Sequence, residues 1–235
     1  MKEAIILAGG FGTRLAHIVP DVPKPMAPVC GKPFLSYILS DLTQKGIERT
    51  VLAIGYKKEC VENFFGNRFK GMELVYSPED EPLLTGGAIR QAAALCTADD
   101  VFIINGDTFF AVDLDEMLRA HQRTGAVLTV ATKRMTDFDR YGTVEADAQG
   151  RIVGFREKAY CGNGEINGGI YLLRRREILA FPEKRFSFEK EYMEQYVKAK
   201  RIYAYCADGY FIDIGIPEDY MRAQTEFARI GKRGP

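Results

Sequence analysis

Apolar runs alternate with amphipathic stretches through the first half of the chain, and the spacing of their hydrophobic positions distinguishes strands from helices. This pattern predicts buried strands at 4–8, 50–54, 73–76 and 101–104, and helices at 34–44, 57–65, 86–95 and 113–123. Alternation of strands and helices is typical of a mostly parallel sheet with helices on both faces. Ligands of such sheets bind beyond the carboxyl ends of the strands.

The second half has a different rhythm, with several strand-like segments joined by short connections. Strands are predicted at 127–132, 142–146, 152–157 and 165–173, and helices at 188–200 and 218–229. No linker rich in Pro, Gly and Ser separates the halves. We therefore predict a single domain, 1–235, in which a β-rich half (about 126–235) lies across a cleft from the first half (about 1–125).

The first strand runs directly into a glycine-rich, basic loop. Gly9, Gly10 and Gly12 precede Thr13-Arg14, and Lys24 follows between two prolines. Backbone N–H groups that glycine leaves accessible can bind anionic oxygens, and the two cations can neutralise them, so this loop predicts a phosphate site. An ordinary strand-to-helix turn is the alternative for the glycines alone.

Two familiar glycine loops do not fit this segment. A P-loop requires Lys and Ser or Thr after its last glycine, and here Thr13-Arg14 follows. A Rossmann dinucleotide loop requires Gly or Ala where Leu15 stands, and an acid where the next strand ends in Gly55. A Rossmann-type redox enzyme is therefore disfavoured.

Composition excludes several classes of partner and site. Lys plus Arg and Asp plus Glu both number 32, so no overall field favours nucleic acid or a membrane surface. Five scattered cysteines without a C-x-x-C pair indicate free thiols, and a count of two histidines disfavours a zinc site built on His and Cys. No apolar run is long enough for a signal peptide or a membrane span, so we expect a cytoplasmic protein.

Two aspartates are candidate metal ligands. Asp107 follows the apolar strand 101–104, and Asp213 lies between Ile212 and Ile214. A carboxylate in such a setting requires a partner, and Mg²⁺ commonly takes one or two carboxylates together with phosphate oxygens. The alternative is that each aspartate accepts backbone N–H groups at a turn or helix start.

Short motifs in the second half are candidates for ligand contact. Asn167-Gly168-Gly169 interrupts an apolar strand, which often marks close approach of a ligand or another backbone segment. Glu157-Lys158 ends a strand with an acid and a base, although an exposed charged hairpin explains that pair equally well.

Taken together, these segments resemble the sugar-1-phosphate nucleotidylyltransferases. The matching segments occur in the family's order, from residue 4 to about 220, at 7–15, 23–25, 81–88, 105–107, 141–142, 157–158, 167–169 and 213–215. The resemblance implies an α/β fold of the nucleotide-diphospho-sugar transferase type. That fold has a Rossmann-like, mostly parallel mixed sheet flanked by helices, with a β-rich sugar-side lobe. Within the family, 107–110, 138–144 and 211–215 look most like D-glycero-α-D-manno-heptose 1-phosphate guanylyltransferases.

The resemblance implies direct nucleotidyl transfer from a nucleoside triphosphate, with GTP expected, to a sugar 1-phosphate, with the heptose phosphate expected. It implies Mg²⁺ as the cofactor and a first half that binds the nucleotide. The implied catalytic residues are Arg14, Lys24 and Asp107, and the implied Mg²⁺ ligands are Asp107 and Asp213. The implied nucleotide site contains Leu7, Gly9, Gly10, Gly12, Thr13, Glu81, Thr85, Gly86 and Gly87. The implied sugar site contains Tyr141, Gly142, Glu157, Lys158, Asn167 and Gly168.

Two positions depart from the family pattern. Many relatives have Gly where this chain has Leu84, and Pro where it has Ala159. Leucine adds bulk and restricts φ, which leaves nucleobase recognition open. The alternatives within the class are mannose 1-phosphate guanylyltransferase, N-acetylmuramate 1-phosphate uridylyltransferase and glucose 1-phosphate thymidylyltransferase. Outside it, the alternative is a non-catalytic regulator that binds a nucleotide sugar. A homo-oligomer is left open.

Overall fold

The computed structural model describes residues 1–10, 15 and 17–230. The strands are β1 (Glu3–Leu7), β2 (Pro28–Val29), β3 (Lys32–Pro33), β4 (Arg49–Ile54), β5 (Arg68–Phe69), β6 (Met72–Pro78), β7 (Asp100–Asn105), β8 (Thr108–Phe110), β9 (Leu128–Phe138), β10 (Val144–Ala146), β11 (Ile152–Phe155), β12 (Cys161–Arg174), β13 (Ile202–Cys206) and β14 (Phe211–Asp213). The α-helices are α1 (Phe34–Gln44), α2 (Lys58–Phe65), α3 (Leu84–Ala93), α4 (Leu114–Thr124), α5 (Arg175–Leu179), α6 (Glu194–Lys198) and α7 (Pro217–Ile230). A 3₁₀ helix spans Lys24–Met26 and a π-helix spans Phe188–Met193.

The central feature is an eight-stranded mixed sheet in the order β13-β9-β12-β7-β1-β4-β6-β5. Strand β1 pairs in parallel with β4 and β7, and β12 runs antiparallel between β7 and β9. This arrangement confirms the predicted mostly parallel sheet flanked by helices. Strands from both halves of the chain share the sheet, while the division into functional halves stays a prediction.

Side chains of β1 alternate between two apolar layers, as expected for a buried strand. Ala4 and Ile6 pack on the face that α1, α4 and α7 cover, and Ile5 packs on the face covered by α3, α5 and the π-helix. All three side chains are fully buried. Burial on both faces explains the continuous apolar run that predicted this strand.

The carboxyl ends of the central strands meet at one edge of the sheet. Leu7 is in register with Ala53 of β4 and Asn105 of β7. Just beyond β7, the Gly106 N–H donates to the Leu7 carbonyl at 3.0 Å. Asp107 therefore begins beside the end of β1, where the sequence pattern predicts ligand binding.

Some local elements differ from the sequence prediction. Residues 108–110 form a short strand, β8, which pairs with β14. The helix predicted at 188–200 is a π-helix followed by α6. No helix in the described part of the chain is long and apolar enough to span a bilayer.

Candidate active site

A cavity of about 610 Å³ lies at the carboxyl edge of the sheet. Seven of the predicted site residues line it: Leu7, Gly9, Gly10, Lys24, Thr85, Asp107 and Asp213. They come from segments separated by up to two hundred residues, so the fold gathers most of the predicted nucleotide and metal positions in one place. The predicted residues Gly12, Thr13 and Arg14 lie outside the described residues.

Lys24 stands between the two aspartates. It opens the 3₁₀ helix, and prolines on either side restrict the backbone there. Its Nζ donates to Oδ2 of Asp107 and lies 3.9 Å from Oδ1 of Asp213. The arrangement places one cation and two carboxylates together in the cavity lining, and we call Lys24, Asp107 and Asp213 the central cluster.

A short antiparallel pair of strands brings the aspartates together. Asp213 of β14 lies opposite Thr108 of β8, directly after Asp107, and the Ile214 N–H donates to the Asp107 carbonyl at 3.0 Å. The Gly215 N–H donates to Oδ1 of Asp213 at 2.6 Å. This pairing is the physical reason that carboxylates far apart in sequence share a site.

Glycine at position 215 leaves room for two charged side-chain atoms of the site. A Cβ there would lie 2.8 Å from Oδ1 of Asp213 and 3.0 Å from Nζ of Lys24. Any side chain would therefore displace the carboxylate or the ammonium group.

The electrostatics of the aspartate pair fit a bound cation. Burial raises the pKa of Asp213, and the neighbouring charge of Asp107 raises it further, against the opposing effects of Lys24 and the Gly215 N–H. Among the described residues no group of three or more His, Cys, Asp or Glu could hold a metal. Two carboxylates in the lining of a cavity large enough for a small-molecule ligand suit a divalent ion that completes its coordination with substrate oxygens and water.

The acid that reaches the cavity from the loop after β6 is Glu79. Its Oε2 accepts the Leu83 N–H at 2.9 Å, and burial raises the pKa of its carboxyl against the effect of that hydrogen bond. The predicted residue Glu81 is exposed and lies outside the cavity lining. Glu79 directly follows a strand at the carboxyl edge, and this position could have indicated it from sequence.

The two glycines after Thr85 are explained by packing. A Cβ on Gly86 would lie 2.2 Å from the Phe186 ring, and one on Gly87 would lie 2.3 Å from the Lys184 carbonyl oxygen. The N–H groups of both glycines donate to the Phe186 carbonyl, at 2.9 and 3.4 Å. These donors are therefore engaged within the protein, and neither glycine is among the cavity-lining residues.

Asn167 belongs to a polar network beside the site. Its Nδ2 donates to the Tyr171 hydroxyl at 3.0 Å, and its Oδ1 accepts the Gly169 N–H at 3.0 Å. The register of β12 against β9 shifts between Asn167 and Tyr171. A Cβ on Gly168 would lie 2.5 Å from the Phe110 ring, so the close approach predicted for this segment is to the protein itself.

Tyr141 packs against strand β14, which ends in Asp213. Burial raises the pKa of its hydroxyl, and the charge of Asp213 adds to this effect. Arg140 donates to that hydroxyl at 3.1 Å, and the ring packs edge-on against Phe211 at 6.0 Å. A Cβ on Gly142 would lie 2.4 Å from the Arg156 carbonyl oxygen, which gives this glycine a packing role.

Glu157 and Lys158 are exposed and are not among the residues that line the described cavity. The described structure therefore does not gather them with the central aspartates. The lining also contains two polar residues that the sequence analysis did not select, Asn105 and Glu189. Glu189 belongs to the π-helix, whose sequence resembles an ordinary amphipathic helix and carries no indication of a site.

Comparison with known proteins identifies the family. The model of the nucleotidyl transferase family matches residues 3–229. The chain belongs to this family. Its substrates are accordingly a nucleoside triphosphate and a sugar phosphate, and the family typically uses a divalent metal. The predicted enzyme class, a sugar-1-phosphate nucleotidyltransferase, is confirmed.

Individual relatives match along almost their entire length. The chain is 49% identical to D-glycero-alpha-D-manno-heptose 1-phosphate guanylyltransferase of Aneurinibacillus thermoaerophilus, over 95% of this chain and 97% of that protein. It is 45% identical to the protein of the same name from Campylobacter jejuni, over 93% and 96%. The crystal structure of HddC from Yersinia pseudotuberculosis complexed with GMP-PN is similar at a TM-score of 0.86. That structure shares 34% identity and covers 97% of this chain and 100% of its own.

Proposed function

We propose that the chain transfers the GMP unit of GTP to D-glycero-α-D-manno-heptose 1-phosphate. The observation that carries this proposal is 49% identity, over 95% of the chain, to a protein named for that reaction. In the reaction, an oxygen of the sugar phosphate bonds to the α-phosphorus of GTP. The bond to the bridging oxygen breaks, and its electron pair leaves with pyrophosphate.

The central cluster of the cavity would position and neutralise the reacting phosphates. Gly9 and Gly10 follow β1 and would present backbone to the triphosphate. The Lys24 ammonium would move from its carboxylate partners to phosphate oxygens at the reaction centre. Arg14 would assist the departing pyrophosphate. Positioning and charge neutralisation supply most of the rate in transfers of this kind.

Asp107 and Asp213 would hold Mg²⁺. Their contact with one ammonium group supports this role, because both carboxylates already face a single cation position. When bound, Mg²⁺ would supply positive charge that offsets the negative charge developing on the phosphates during transfer.

Glu79 supports guanine as the base. Its carboxylate reaches the cavity, and guanine offers adjacent N1–H and N2–H₂ donors that a carboxylate can accept together. Uracil and thymine present a single N3–H between two carbonyl oxygens, which a carboxylate would repel. Leu7 and Thr85 would complete this end of the cavity.

The second half would bind the sugar. Tyr141 lies close to Asp213, and Asn167 is fixed by its bonds to Tyr171 and Gly169. Glu157 and Lys158, in the exposed segment after β11, would contact a sugar phosphate that extended to that segment. A cytoplasmic location and a homo-oligomer stay predictions.

The proposed reaction is tested by pyrophosphate release over a grid of GTP, ATP, UTP and dTTP with heptose, mannose and glucose 1-phosphates in Mg²⁺. We expect the highest kcat/KM for GTP with the heptose phosphate, and loss of turnover on chelation. Asp107→Asn should decrease kcat by at least about a hundredfold, because a metal ligand is lost.

Asp99→Asn is the matched control. This exposed acid precedes β7 at the opposite end of the same strand, so its removal should leave kcat unchanged. A preference for UTP or dTTP would exclude the guanylyl assignment. Nucleotide-sugar binding without turnover for any pair would favour the non-catalytic regulator.

A further inference from the structure

Glu189 is a cavity-lining acid to which neither the family resemblance nor the sequence analysis assigned a role. It lies in the π-helix and is partly exposed. Single π-helical turns occur frequently at functional sites, because the extra residue in the turn redirects side chains. Here the turn places a carboxylate in the cavity that contains the central aspartates.

One carboxylate oxygen of Glu189 is fixed by neighbours. Oε2 accepts the Thr85 hydroxyl at 2.8 Å and the Ser187 hydroxyl at 3.2 Å. The Thr85 hydroxyl in turn accepts the Phe188 N–H at 2.9 Å, which orients its own hydrogen toward Glu189. The carboxylate is therefore held in place on the protein side.

The other oxygen has acceptor capacity to spare. A carboxylate can accept about four hydrogen bonds. In the part of the chain that the structure describes, Oε1 of Glu189 forms neither a hydrogen bond nor an ion pair. Because this residue lines the cavity, its unused acceptor is available to a ligand.

The neighbours of Glu189 place it near the reaction centre. Burial raises the pKa of Tyr171, and the charges of Glu189 and Asp107 raise it further, so one hydroxyl senses both carboxylates. That hydroxyl also contacts Asn167 and Asn105. Glu189 is thus hydrogen-bonded to Thr85 and lines the same cavity as Asn105 and Asp107.

Chemistry restricts what a carboxylate can meet at this position. A carboxylate that faced a phosphate directly would repel the substrate. Lys24 and the proposed Mg²⁺ are assigned to Asp107 and Asp213, so the partner left for Glu189 is a neutral donor. In the proposed reaction the α-phosphate of GTP and the phosphate of the acceptor react with each other, and two sugar rings flank this pair, the ribose of the nucleotide and the ring of the acceptor. Both rings offer hydroxyl groups as neutral donors.

We propose that Glu189 accepts hydrogen bonds from ring hydroxyls of the sugar adjacent to the reacting phosphate, either the ribose or the acceptor sugar. This inference rests on the proposed function, since that function puts sugar rings at this place. Glu189 would then determine which hydroxyl pattern the cavity admits.

The test compares wild type with Glu189→Gln in two series. The first pairs GTP, 2′-deoxy-GTP and 3′-deoxy-GTP with the heptose 1-phosphate, and the second pairs GTP with the heptose 1-phosphate and its 2-deoxy and 3-deoxy forms. Loss of a hydrogen bond to a charged acceptor should decrease kcat/KM about ten- to a hundredfold. Wild type should have a lower kcat/KM for one deoxy substrate than for its parent substrate, and in the variant this difference should disappear. The ring that carries the missing hydroxyl identifies the source of the contact.

Glu194→Gln is the matched control, because this exposed acid follows the π-helix and lies outside the cavity lining. If Glu189→Gln has a much lower melting temperature than wild type, Glu189→Asp tests the same contact, because it keeps the charge and shortens the side chain. Unchanged discrimination against every deoxy substrate, with kcat/KM within twofold of wild type, would overturn the inference.

Failure of the proposed reaction would be recognised separately. If the wild type releases no pyrophosphate with any pair, the proposed function is wrong. Calorimetric binding of the same nucleotides, and of GDP-mannose against GDP, then tests Glu189. The contact is supported if Glu189→Gln binds GTP more weakly than wild type does but binds one deoxy nucleotide equally well. It is also supported if the variant binds only GDP-mannose, and not GDP, more weakly than wild type does. Equal binding by variant and wild type refutes it.

Discussion

Gly86→Ala should destabilise the protein by overpacking. The added Cβ would lie 2.2 and 2.3 Å from two ring carbons of Phe186. Carbon atoms in contact normally lie about 3.5–4.0 Å apart, so the ring or helix α3 would have to move by more than ~1 Å.

The surroundings of Phe186 oppose such a movement. Its side chain is fully buried, and the centroid of its ring lies 4.3 Å from the ring centroid of Phe181 and 6.4 Å from that of Tyr192. Its carbonyl also accepts the Gly86 N–H at 2.9 Å. Overpacking of a well-packed core typically costs about 1–3 kcal/mol. For a chain of this size the melting temperature should fall by roughly 2–12 °C.

The assay is thermal unfolding of the nucleotide-free protein, followed by circular dichroism. Gly162→Ala is the matched control, since a Cβ there meets nothing within 4 Å and should leave the melting temperature almost unchanged. If Gly86→Ala left the melting temperature unchanged but raised KM for GTP, Gly86 would serve the nucleotide, and the packing argument would be refuted.

Two further substitutions test strain in the site. Asp213→Asn should raise the melting temperature of the metal-free protein at pH 7.5 while decreasing turnover, because burial and Asp107 raise the pKa of this carboxyl and its charged form costs stability. This cost is absent below the unfolded-state pKa of about 3.9, where the carboxyl is protonated in both states, so the increase in melting temperature should vanish near pH 4. An equal increase at pH 7.5 and pH 4 would contradict the prediction. Leu84 has φ of 61°, so Leu84→Gly should be more stable than Leu84→Ala by up to about 1 kcal/mol in urea unfolding. Equal stability of these two variants would argue against backbone strain.

Local sequence patterns were sufficient for most of the central sheet. The helix predicted at 34–44 is α1, and the strands predicted at 4–8 and 50–54 are β1 and β4. These elements have strong periodicity and clear endings. Strand β8 has three residues and is defined by its pairing with β14, a contact across about one hundred residues that no local pattern contains.

The central cluster was predictable in part for the same reason. Asp107 follows an apolar segment and Asp213 interrupts one. A carboxylate partly buried in this way needs a compensating partner, and this holds whether the partner is near or far in sequence. The choice between Glu79 and Glu81 was different. Both acids belong to an aperiodic loop, where only the three-dimensional path determines which side chain turns inward. Glu189 could not be found because a π-helical turn has no distinct sequence pattern.

Glycine gave the most ambiguous information about the site. A glycine indicates that something approaches the backbone closely, but it does not indicate what approaches. At Gly215 the neighbours are the charged side-chain atoms of Asp213 and Lys24. At Gly86, Gly142 and Gly168 they are uncharged ring or carbonyl atoms of the packed protein. The glycines of the matching motifs therefore mark two different features, the cavity itself and the tight protein packing around it. Only the position of each glycine relative to the cavity separates them.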